Sequence, residues 1–178
     1  MRLEAHERKA LLGLARQAIA ARLEGCSMDA PVVAGGLALR AGAFVTIRYE
    51  NRLRGCLGLI NSEEPLAEVV VRCAGDAATL DPRFPPLPLR ELRNVSLEIS
   101  VLGPVEPVKD SAEVEVGRHG LVVEQGRRRS LLLPQVPIEF GWSLETFLSQ
   151  GCVKAGLSAD AWQRGAKIFT FEADVFSE

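Results

Sequence analysis

Cys56 stands in the run Leu53-Arg54-Gly55-Cys56-Leu57-Gly58. A thiol with a guanidinium two residues away is biased toward thiolate relative to the ordinary pKa of about 8.5, and a thiolate is a nucleophile. Gly55 and Gly58 remove side chains and let a ligand or another backbone approach closely. The plainer alternative is a buried thiol packing as a small apolar group, beside an arginine in an ordinary ion pair. His119 lies in Gly117-Arg118-His119-Gly120 and could act as acid, base or ligand. A turn-stabilising or solvated imidazole fits the same position. Asp81 and Arg83 belong to Asp81-Pro82-Arg83-Phe84-Pro85-Pro86. Arg83 suits a carboxylate or phosphate, and Asp81 suits loop N–H groups or a cation; a mutual structural pair accounts for both. Lys154 could line a site with Cys152, although packing explains that cysteine as well.

Scarcity sets limits on this chemistry. The 178 residues include two histidines, His6 and His119, so a three-His zinc site is excluded. The four cysteines, Cys26, Cys56, Cys73 and Cys152, form no CxxC pair. That argues against a zinc ribbon or thioredoxin-type centre and for a reduced, cytoplasmic protein. No phosphate loop, dinucleotide fingerprint, HExxH or GxSxG is present, so no metal and no cofactor is expected. The net charge of -2 makes nucleic acid an unlikely partner. Arg127-Arg128-Arg129 reads as a solvated turn, with an RNA phosphate contact as the weaker option. The residues after Met1 are charged rather than apolar, and no run is long enough for a membrane span.

These candidates must be positioned by a mixed set of elements. Leu11, Leu12, Ala15, Ile19 and Leu23 recur at helical spacing, predicting a helix over 4–23 that stops at Gly25. Strand composition over 44–49, a turn at Glu50-Asn51-Arg52 and a return over 53–60 predict a hairpin. Alternation then puts Leu53, Gly55, Leu57 and Leu59 on the core face, and Arg54, Cys56, Gly58 and Ile60 on the other. A helix capped by Ser62 carries the stripe Leu66, Val69, Val70, Cys73, Ala74 and Ala77, and ends at the proline-rich loop. Val95, Leu97, Ile99 and Val101 alternate as a half-buried strand. Residues 121–124 and 130–133 flank a second hairpin turn. Ser143 caps a helix closed by Gly151, Ser158 caps another containing Trp162, and 168–175 form one closing strand. The hairpins, with few βαβ units, imply an α+β fold with a largely antiparallel mixed sheet and flanking helices.

Four segments resemble one family. Leu53-Arg54-Gly55-Cys56-Leu57-Gly58 is similar to its LRGCIG signature, with Leu57 in place of Ile. Ala77-Ala78 running into Asp81–Pro86 resembles its "AA..D.RFPP" stretch. Val116-Gly117-Arg118-His119-Gly120-Leu121 resembles its "VGxHGL" turn. Leu133-Pro134-Gln135-Val136-Pro137, Gly141-Trp142 and Lys154-Ala155-Gly156-Leu157 complete the series. The chain is identified as a member of the AMMECR-type domain family, whose bacterial and archaeal members are called AmmeMemoRadiSam system protein A.

The resemblance implies a single AMMECR-type domain over 1–178, with a larger and a smaller lobe and a cleft between them. It implies association with a Memo-like protein, which resembles class III extradiol dioxygenases, and with a radical-SAM protein. It flags Arg54, Gly55, Cys56 and Gly58 without assigning them roles. The expected function is therefore an accessory or modifying component of that system. The alternative is a cysteine-dependent enzyme with Cys56 as nucleophile, Arg54 stabilising charge and His119 as base. RNA or nucleotide binding is the third possibility.

Overall fold

The computed structural model describes residues 2–178. The chain divides into two compact units. The first runs to Leu102 and takes back Asp174–Glu178; the second is Gly103–Ala173. Each has its own four-stranded sheet and its own apolar core. The expected α+β class is what the structure shows, with its antiparallel pairings distributed over two sheets.

In the first unit, α1 (Ala5–Glu24) and α2 (Leu66–Thr79) pack on one face of a sheet. The sheet contains β1 (Ala43–Tyr49), β2 (Arg52–Leu59), β3 (Val95–Leu102) and β8 (Ala173–Ser177), in the order β2-β1-β3-β8. Leu11, Ile19, Val45, Ile47, Val69, Leu97 and Ile99 fill the space between helices and sheet. Each such fully buried side chain contributes about 2 kcal/mol of transfer free energy. Gly25 ends α1 in the left-handed conformation (φ 70°), as its place in the sequence predicts.

Two predicted details of this unit differ. Ser62 does not cap α2: its hydroxyl accepts the Glu64 N–H in a preceding turn. The helix starts after Pro65 because Arg40 bridges to Pro65 and the Leu66 N–H donates to the Leu39 carbonyl, fixing the chain there. The β1–β2 hairpin is confirmed, with Glu50 (φ 50°) and Asn51 (φ 62°) as its two-residue turn. However, Ile47 pairs with Gly55 while Arg48 pairs with Leu53, which leaves Arg54 as an extra, bulged residue. The bulge interrupts the alternation, and Leu53 is 37% exposed rather than in the core.

The second unit orders its strands β4-β7-β5-β6. They are β4 (Glu106–Pro107), β5 (Gly120–Gln125), β6 (Arg128–Leu132) and β7 (Lys167–Phe171). A short α3 (Val136–Glu139) precedes α4 (Leu144–Lys154). Ser143 caps α4 as predicted, its hydroxyl accepting the Thr146 N–H at 3.2 Å. Gly151 does not close that helix. It lies within α4, where a Cβ would meet Leu121 Cδ2 at 2.7 Å and Val123 Cγ2 at 2.8 Å. The helix runs on to Lys154, and the left-handed Gly156 (φ 75°) just beyond it turns the chain away, with the Leu157 N–H donating to the Cys152 carbonyl. The predicted Trp162 helix is a single 3-10 turn, Ala161–Gln163. The predicted closing strand is two strands, β7 and β8, in different sheets. They separate at Glu172, whose carbonyl accepts the Gly103 N–H.

Candidate functional site

Strand β2 is an edge of its sheet, so the outward backbone groups of Cys56 have no strand to pair with. The loop after α2 supplies the partners. The Asp81 carboxylate accepts the Cys56 N–H at 2.9 Å, and the Arg83 guanidinium donates to the Cys56 carbonyl at 3.3 Å. Asp81 also accepts from Arg83 Nε at 2.9 Å, from Arg83 Nη2 at 2.6 Å and from the Arg83 N–H at 3.1 Å. One loop thus caps the strand edge with a carboxylate and a cation that also hold each other. Asp81 is 4% exposed. The hydrogen bond from Arg83, helped by the Cys56 and Arg83 N–H groups, holds its carboxyl down at about 2. The Arg83 pKa is raised, first by that bond to Asp81 and in smaller part by electrostatic interaction with Cys56.

The bulge explains where Arg54 goes. Its guanidinium donates to the Pro85 carbonyl at 2.8 Å and the Pro86 carbonyl at 3.3 Å, and lies 3.5 Å from the Glu91 carboxylate. Arg83 therefore bonds the Cys56 backbone, while Arg54 ties the strand to the far end of the loop. Arg83 also lies over the Phe84 ring, 5.5 Å from its centroid. Gly55 is required by packing: a Cβ there would meet the Ala77 carbonyl oxygen at 2.2 Å. At Gly58 a Cβ would meet the Ala43 carbonyl oxygen at 2.3 Å and Phe44 Cγ at 2.4 Å. What approaches both glycines closely is therefore neighbouring backbone and ring.

The Cys56 thiol is half-buried and accepts a hydrogen bond from the Thr46 hydroxyl at 3.3 Å. Thr46 is paired with Cys56 on one side and Glu98 on the other, giving a polar row Cys56–Thr46–Glu98 across three strands. Thr46 is the residue that composition alone does not single out. Its signal is the alternation of the strand once the two-residue turn sets the register. The other thiols are different. Burial pushes Cys73 up to about 11 and also raises Cys152, while Cys26 is exposed.

Arg54, Cys56, Asp81 and Arg83 thus meet in the first unit, and His119 and Lys154 belong to the second. His119 Nδ1 accepts the Glu115 N–H at 3.0 Å, and the His119 backbone N–H donates to the Glu115 carbonyl, so the residue closes a turn. Arg118 beside it bridges Glu115 and Glu172. Lys154 Nζ donates to the Leu131 carbonyl at 2.8 Å. In the arginine run, Arg128 donates to the Gly156 carbonyl and Arg129 pairs with Glu124. Among the described residues, no group of three or more His, Cys, Asp or Glu side chains is placed to hold a metal ion. No helix among them is long and apolar enough to cross a membrane.

Known proteins share this sequence and fold. The family model described as AMMECR1 matches residues 12–176. A protein of Thermofilum pendens is 43% identical over 196 residues, covering 99% of this chain and 92% of its own. Protein MK0488 of Methanopyrus kandleri is 43% identical over 188 residues, covering 99% and 91%. The crystal structure of uncharacterized protein PH0010 from Pyrococcus horikoshii matches with a TM-score of 0.90 at 40% identity, over 94% of this chain and 89% of that one. On the family match and these full-length identities, the chain belongs to the AMMECR1 family.

Proposed function

We propose that the protein is an accessory component that presents the β2–loop surface to a Memo-like protein and a radical-SAM protein. The observation that carries this reading is how the motif residues spend their polar groups. Arg54, Asp81 and the Cys56 backbone bond to one another's segments, so strand and loop form one stiffened piece. The prolines 82, 85 and 86 are exposed, and Leu80 (59% exposed) and Leu89 (47%) flank the loop in sequence. A rigid apolar surface loses little conformational entropy on docking, which suits recognition. Size-exclusion chromatography of the full chain mixed with its two expected partners tests this. The complex is expected with the natural chain and is lost with Leu80→Asp/Leu89→Asp. Failure to associate, combined with substrate turnover by the isolated chain, refutes it.

The Thr46–Cys56–Arg83 arrangement favours a second reading, in which Cys56 acts as a nucleophile. A hydroxyl donating to sulfur, with a guanidinium held on the carbonyl of the same residue, is an environment that favours thiolate. Cytoplasmic placement accords with a reduced thiol of this kind. Iodoacetamide labelling across pH separates the readings. A nucleophilic Cys56 reacts faster than a free thiol with a pH profile displaced downward, whereas an ordinary rate and profile leave the accessory role alone.

A further inference from the structure

At the β4 edge of the second sheet lies a hollow of about 420 Å³ that the Cys56 region does not use. Its volume is in the range that holds a small-molecule ligand. Two lysines, Lys109 and Lys167, line it. Pro107 pairs with Phe169 and the Val108 N–H donates to the Ile168 carbonyl at 2.9 Å. The pairing ends there, and Lys109 lies in the bend that follows β4, on the same rim as Lys167.

The Asp110 carboxylate, also on the rim, accepts the Ala112 N–H at 2.9 Å as the cap of a 3-10 turn. Glu124 is cross-strand to Lys167, and its carboxylate pairs with Arg129 at 3.7 Å. Neither lysine takes part in an ion pair among the described residues, in contrast to Arg8, Arg16, Arg22, Arg72 and Arg164. The remaining lining adds two aromatic side chains, Trp162 and Phe169, and two neutral hydrogen-bonding ones, Ser111 and Gln163.

We propose that this hollow binds a small phosphorylated ligand with a flat ring, of the nucleoside monophosphate class. The two ammonium groups hold the phosphate. Trp162 and Phe169 offer apolar π surface to the base, which is sequence-tolerant binding energy. Ser111 and Gln163 meet the ribose or the ring edge. The site is independent of Cys56 and of any partner.

The test is a calorimetric titration of the full chain with AMP, adenosine and inorganic phosphate, alongside Lys109→Ala/Lys167→Ala. Saturable AMP binding is expected, with adenosine and phosphate each at least about tenfold weaker. Both lysines are exposed, so the double variant is expected to keep its melting temperature while binding AMP about tenfold more weakly, as two screened ion pairs imply. Trp162→Phe, which keeps a ring, retains binding within about threefold. The proposal is overturned by the absence of saturation at about 5 mM AMP. It is equally overturned by an unchanged affinity in the double-lysine variant, or by phosphate binding as tightly as AMP.

Discussion

The two units solve the same packing problem from opposite sides. In the first, α2 approaches β2 so closely that the strand must carry glycine: a Cβ on Gly55 would lie 2.2 Å from a helix carbonyl oxygen. In the second, α4 approaches β5 and the helix carries the glycine, since a Cβ on Gly151 would meet the methyl groups of Leu121 and Val123. The first contact is backbone against backbone, and the second is backbone against side-chain tips. The first contact sets the C-terminal end of α2 against the edge strand β2, whereas the end of α4 meets its own edge strand, β6, through side chains such as Lys154, which donates to the Leu131 carbonyl. The loop leaving α2 can then reach across and cap Cys56 with Asp81 and Arg83. The second unit keeps its strand side chains, and its motif histidine closes a turn of its own. The strand glycine is therefore what makes the Cys56 site possible.

Substitutions can break this contrast. Gly55→Ala is expected to cost about 4 kcal/mol in urea unfolding, because two backbones must separate. Asp81→Ala is expected to cost about 3 kcal/mol, since it orphans a buried N–H and removes a charge-assisted pair. The acid dependence of stability follows from the same group. Asp81 is held at about 2, below its unfolded value of 3.8, so its contribution is full above the unfolded value and is lost as pH falls toward the folded one. Unfolding followed from pH 5 to 2 should show a fall of about 2 kcal/mol that is absent in Asp81→Asn. Gly151→Ala should cost only about 1 kcal/mol, as flexible methyl groups shift and helix propensity improves. If Gly151→Ala proves as damaging as Gly55→Ala, the distinction between the two contacts fails. Smallest of all, His119→Ala should cost about 0.5–1 kcal/mol through the lost turn hydrogen bond, with no change in Cys56 labelling.

Periodicity made much of this legible. The α1 helix, the β1–β2 and β5–β6 hairpins and β3 follow from spacing and turn residues, because those elements bury a regular face. The departures occur where a distant contact decides. Arg54 bulges in a structure where its side chain bonds to Pro85, Pro86 and Glu91, more than thirty residues on, and no local pattern encodes that. Gly151 has the composition of a helix end, but its role is set by β5 from another part of the chain. The closing strand reads as one because alternation continues through Glu172, while sheet membership changes there. For the candidate site, Cys56, Asp81 and Arg83 stand out by residue type. Their pairing across 25 residues, with Asp81 on the Cys56 N–H and Arg83 on its carbonyl, required the fold.

The central claim is that the Asp81–Arg83 loop closes the edge of β2 at Cys56. Backbone hydrogen exchange of Asp81→Ala tests it most directly. The amides of Cys56, Arg83, Phe84 and Leu87 are expected to lose roughly a hundredfold in protection, corresponding to about 3 kcal/mol, while β1 and the middle of α2 stay protected. Unchanged protection at Cys56 in that variant would contradict it.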